Sequence, residues 1–152
     1  MNYYSDEQIA WLARGVSVVY CPRAAAYFGH VGHRWREMLA AGVNVCLGTD
    51  GRGCTPSLSL LDELLALRRG TGIEAADSAR LLRMATLAGA NALGVEAECG
   101  SIETGKSADL ISLDGVTVAD GGAIRMSDAT QIREVWLRGE RLVHNGICAS
   151  LE

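Results

Sequence analysis

The chain has 152 residues, 49% of them apolar and 21% charged, with a net charge of -4, so it has material for one domain, or a small domain with an appendage. The acidic balance argues against a nucleic-acid partner, since neutralising phosphates takes a basic surface. No apolar run approaches the roughly 18 residues of a membrane span, and the N-terminus has neither the basic region nor the apolar core of a secretion signal. Five cysteines, none in a C-x-x-C pair, fit reduced thiols and a cytoplasmic setting.

In chain order, Ser5 to Gln8 form a capping box, and Ile9, Leu12 and Ala13 follow at helical spacing up to Gly15. The valine-rich run Val16 to Cys21 predicts a strand buried on both faces, ended by Pro22. A loop is expected over Arg23 to Gly32, then a helix from Arg34 to Ala41 closed by Gly42. A second buried strand, Val43 to Leu47, leads into Gly48-Thr49-Asp50-Gly51. Helices are expected over Leu58 to Arg69 and Ile73 to Leu93, the latter broken near Gly89.

Buried strands alternating with helices predict an α/β unit with a parallel sheet and right-handed crossovers. After Gly94 the pattern changes. Gly100, Gly105, Gly115, Gly121 and Gly122 punctuate short apolar pieces. Strands are expected at Ala108 to Leu113 and Ile132 to Leu137, the second turning at Gly139-Glu140 into 141–144 as a hairpin.

In parallel α/β folds, chemistry gathers at the C-terminal ends of the strands. Asp50 stands at one such end between two glycines that leave room for a ligand. Its carboxylate either binds a cation or takes up a proton, or else it caps its turn. Arg23, Tyr27, Phe28 and His30 follow the other strand end. Arg23 either holds an anionic group or a carboxylate, or lies on the surface. Tyr27 and Phe28 wall a pocket or simply cover the sheet end. His30 and His33 touch metal or substrate, or are solvated. Cys21 and Cys46 read as small buried hydrophobes. No G-x-S-x-G elbow, P-loop or H-x-E…P-C-x-x-C pattern occurs.

Cys21-Pro22-Arg23 with Tyr27-Phe28-Gly29-His30, and Ala41-Gly42-Val43 leading to Leu47-Gly48-Thr49-Asp50, resemble the last two strand ends of amidohydrolase-superfamily barrels, closest to the deaminase and chlorohydrolase branch. Met84-Ala85-Thr86, Gly100 to Glu103, Gly105 to Leu110 and Val135 to Gly139 resemble later segments of that branch in the same order. The resemblance implies the C-terminal fragment of a (β/α)8 TIM-type barrel over 1–94, followed by part of a small β-sandwich over 95–152. It implies a metal-dependent hydrolase, with zinc as the expected ion, acting on a C–N or C–Cl bond of a heterocycle or nucleoside, by hydrolytic deamination in the main reading. Asp50 then matches a catalytic metal ligand that also moves a proton, and Arg23, Tyr27, Phe28 and His30 match a substrate-facing loop.

The family's H-x-H pair and its two later histidines have no counterpart here, and Asn2 to Asp6 resemble the stretch just after the last of them. The expected partners are therefore a small-molecule substrate and an N-terminal barrel segment, or another copy of the chain, with no nucleic acid and no membrane. The competing expectation is a non-catalytic module that pairs through open sheet edges.

Overall fold

A computed structural model describes residues 3–71, 75–118 and 124–148. Asn2, Ile73, Gly121 and Gly122 lie outside these.

The capping box forms as the sequence predicts. The Ser5 backbone N–H donates to Gln8 Oε1 at 2.8 Å and the Gln8 N–H donates to Ser5 Oγ at 3.2 Å. It starts α1 (Asp6–Leu12), whose Ile9 and Leu12 are buried. Two short strands follow, β1 (Ser17–Tyr20) and, after helices α2 (Pro22–Tyr27) and α3 (Trp35–Ala40), β2 (Asn44–Leu47). They are adjacent and parallel, with Ser17 opposite Asn44 and Tyr20 opposite Leu47.

The expectation that both strands are buried holds for β2 only. In β1, Val18 is buried but Val19 is 57% exposed. Successive side chains point to opposite faces, so Val18 packs into the core while Val19 faces the open cleft.

Residues 23–32 also depart from the expected loop. Pro22 at the first helical position starts α2, its fixed φ already helical and its missing N–H unneeded there.

Helices α4 (Leu60–Thr71), α5 (Ala75–Ala85) and α6 (Leu87–Leu93) complete the first part. The break between α5 and α6 falls at Thr86, not near Gly89. The Thr86 hydroxyl donates to the Leu82 carbonyl at 2.7 Å, which lets the chain turn without exposing that acceptor. Gly94, at φ 71°, closes α6 in the left-handed conformation.

The second part is a four-stranded antiparallel sheet in the order β3 (Leu110–Val118), β4 (Ile124–Leu137), β5 (Glu140–His144), β6 (Ile147–Cys148). β3 and β4 are longer than their apolar pieces suggest, because polar stretches such as Arg125 and Gln131 continue the ladder. The hairpin forms, but its turn residues are Arg138 and Gly139, one position earlier than expected. Both have positive φ, 52° and 81°, as a two-residue turn between right-twisted strands requires.

The antiparallel sheet packs against the helices through the first half of β4. Met126 of β4 is buried in the core formed by Ile9, Val18, Trp35, Met38, Val45, Leu64, Leu81 and Met84. Arg68 and Arg69, at the end of α4, pair with Asp128 at 2.7 and 2.9 Å.

Candidate active site

β1 and β2 are parallel, so their C-terminal ends open on the same side. β2 runs into Gly48-Thr49-Asp50. The Gly48 N–H donates to the Tyr20 carbonyl at 2.9 Å, carrying the pairing one residue past the strand. A Cβ at Gly48 would stand 2.5 Å from Val19 Cγ1 and 3.2 Å from Cys21 Sγ, so only glycine brings the two strand ends this close. Asp50 then adopts φ 54°, a left-handed conformation that aspartate tolerates better than most residues. The sulfur of Cys21 lies against the Asp50 backbone. Burial pushes the Cys21 thiol up from its ordinary value, so it stays protonated at neutral pH.

Asp50 lines a cleft of about 660 Å³ that runs along the free edge of β1, with Tyr20, Cys21, Phe28, His30 and His33 among its walls. Its side is exposed, and among the described residues no side chain pairs with its carboxylate. Phe28 and His30 are exposed at the cleft's rim, their ring centroids 6.3 Å apart. Tyr27 meets the cleft only through Phe28, edge to face at 5.0 Å.

Arg23 is placed differently. Its Nε donates to Glu63 Oε1 at 2.7 Å and its backbone N–H to Glu63 Oε2 at 2.9 Å. Its remaining nitrogens reach Asp62, the Ser57 hydroxyl and the Ser57 carbonyl. Its guanidinium thus ties α2 to α4 and does not line the cleft.

Three site-forming residues, Tyr20, Glu63 and Thr55, were not singled out by the sequence, and His33 departs from its solvated reading. His33 is not solvated; it stacks on Tyr20 with ring centroids 3.8 Å apart. Tyr20 itself is held in its un-ionised form by burial. Glu63 is fully buried, and a carboxylate one helical turn before Leu67 on an apolar face was its only trace in the sequence. Thr55 had none.

Asp50 offers an unpaired carboxylate, but among the described residues no group of three His, Cys, Asp or Glu side chains stands close enough to hold an ion. A zinc site takes about three protein ligands.

The chain is 34% identical to the 5-methylthioadenosine/S-adenosylhomocysteine deaminase of Teredinibacter turnerae, over 94% of this chain and 35% of that protein. It superposes on a zinc-bound adenosine deaminase from Xanthomonas campestris with TM-score 0.83 and 27% identity, over its whole length and 38% of that chain. Against the zinc complex of atrazine chlorohydrolase from Arthrobacter aurescens the TM-score is 0.77 with 30% identity, covering 99% of this chain and 36% of that one. The chain therefore spans little more than a third of the length of these relatives. The family model for the amidohydrolase family matches residues 2–142, and the chain belongs to that family.

Proposed function

We propose that this chain supplies the last two strand ends of a metal-dependent amidohydrolase barrel (residues 1–94) and part of its β-sandwich (95–152), in an enzyme that deaminates a heterocycle or nucleoside by hydrolysis. Water adds to the ring carbon that bears the amino group, the C–N bond breaks, and ammonia leaves. The single observation behind this is Asp50: an unpaired carboxylate at the end of a buried parallel strand, in an open cleft, in a chain of this family.

A zinc ion, when bound, would supply the activated water. Asp50 would serve as one of its ligands and take up a proton at its carboxylate oxygen. Phe28 and His30 would face the substrate ring, with Tyr27 buttressing Phe28. Arg23 would act on the site indirectly, by fixing the start of α2. The complementing partner is an N-terminal barrel segment that carries the remaining ligands. C–Cl hydrolysis is the variant chemistry that the chlorohydrolase similarity supports. Five cysteines without a C-x-x-C pair support a reducing, cytoplasmic compartment, and no helix among the described residues is long and apolar enough to cross a membrane.

The test is ammonia release and zinc content, with and without an N-terminal barrel segment. The chain alone is expected to bind zinc weakly and turn over nothing. The complemented complex is expected to release ammonia, and Asp50→Asn, which keeps the shape but removes the charge and basic site, is expected to abolish it. Turnover by the 152-residue chain alone, or an Asp50→Asn complex that works normally, would overturn the reading.

A further inference from the structure

Asp50 stands on a turn whose conformation its own backbone does not favour. Its φ of 54° is left-handed; of its two chain neighbours, Gly51 has no side chain and Thr49 reaches the Asp50 backbone carbonyl, at 3.4 Å, and not the carboxylate. Something else must fix the carboxylate's direction. The turn is gripped from below by Thr55, which is only 2% exposed. Its hydroxyl lies 3.3 Å from the Thr49 carbonyl and 3.2 Å from the Gly51 carbonyl, the two acceptors on either side of Asp50. Its backbone N–H also donates to the Gly51 carbonyl, at 3.2 Å. The grip is anchored in turn. Two residues on, the Ser57 hydroxyl and carbonyl accept from Arg23, whose guanidinium is locked on buried Glu63. One short segment therefore joins the turn after β2 to the start of the helix after β1.

We propose that Thr55 is a positioning residue for Asp50: its buried hydroxyl, held between the carbonyls that flank the aspartate, keeps the carboxylate pointed into the cleft. This rests on Asp50 being the working carboxylate. A buried hydroxyl placed only to fill space would be replaceable by an isosteric methyl; this one would not, because the Thr49 carbonyl would lose its Thr55 donor, the Gly51 carbonyl would be held by the remaining donors of its own turn alone, and the link across Asp50 would be free to relax.

The discriminating variants are Thr55→Val, which keeps the shape and removes the donor, and Thr55→Ser, which keeps the donor. In the 152-residue chain, the Asp50 Cα and Cβ chemical shifts and its amide-to-Hα coupling report φ. These are expected to move in Thr55→Val and to stay native in Thr55→Ser, while far-UV circular dichroism is unchanged in both. If Thr55→Val does not fold, Thr55→Ala against Thr55→Ser makes the same comparison. In the complemented complex, kcat is expected to fall about 10- to 100-fold in Thr55→Val, the range a small misplacement of a reacting group produces, with KM unchanged and the loss restored by serine. A complex that shows no activity even with native Thr55 counts against the proposed function, and the chain's spectra still decide the role of Thr55. Native Asp50 signals in a folded Thr55→Val, or displaced ones in Thr55→Ser, would overturn the proposal.

Discussion

His33 shows how little of a residue's environment its type reveals. The ring stacks on Tyr20, and its Nδ1 is enclosed without a hydrogen-bond partner. Burial lowers its pKa from the ordinary 6.5 to about 4. In the folded chain the imidazole stays neutral down to that pH, whereas in the unfolded chain it takes a proton near 6.5. Between those values the unfolded state binds more protons, so the stability from neutral His33 is fully present above pH 6.5 and is lost as pH falls towards 4. The ring is only half-buried, so the effect is about 1 kcal/mol once solvent screening is allowed for. His33→Phe keeps the stack and removes the titration. Its melting temperature is expected to fall less steeply than that of the native chain between pH 6.5 and 4, and the His33 ring signals of the native chain to titrate close to 4. A midpoint near 6.5 would show the ring to be solvated. Asp50, by contrast, was legible as a candidate because its neighbours along the chain announce it: an apolar strand before, glycines on both sides. Thr55, Glu63 and His33 become part of the site through residues 6 to 40 positions away, which local pattern does not reveal.

At the scale of elements, periodicity located both parallel strands, the helix between them and the tail hairpin within a residue or two, because each buries a continuous apolar face. It failed where a boundary depends on a hydrogen bond or a fixed dihedral. Pro22 opens α2 instead of ending order, Thr86 breaks the long helix by bonding back to Leu82, and two positive-φ residues set the hairpin turn at Arg138-Gly139. The docking of α2 on α4 was likewise hidden, since Arg23 ties them through two ion pairs with unequal partners. Glu63 is fully buried and accepts two hydrogen bonds from Arg23, while Asp62 is 46% exposed and sits at 3.3 Å. Removing the buried partner leaves a guanidinium without its main acceptor, so Glu63→Ala is expected to cost about 3 kcal/mol, and Asp62→Ala under about 1 kcal/mol. Urea unfolding of the two variants checks the order. Equal losses would mean that the Arg23 network distributes its energy evenly and that burial does not rank its members.

For the molecule as a whole, the question is what covers the free edge of β1. Among the described residues that strand pairs only with β2, and Val16 and Val19 stay exposed, while the antiparallel sheet exposes Ile111 and Leu137. A strand added to β1 would gain up to about four backbone hydrogen bonds, near 1 kcal/mol each, and about 1 kcal/mol from covering each valine. Association costs about 4 kcal/mol or more in lost motional freedom, so one edge alone supports only weak pairing. A second copy of the chain can offer little beyond that edge. A barrel segment that closes the sheet beyond β1 and also covers the antiparallel sheet buries far more, and is expected to bind much more tightly. The prediction has two arms. By sedimentation velocity, the chain alone is expected to show weak, concentration-dependent self-association, reduced by Val19→Lys, which places a charge on the edge. With an N-terminal barrel segment present, a one-to-one complex is expected to replace the self-associated species, and the same substitution to weaken it. Tight, stoichiometric homodimers would instead favour the chain as a self-assembling module. A strictly monomeric chain that ignores the barrel segment would mean that the edge of β1 is not a pairing surface.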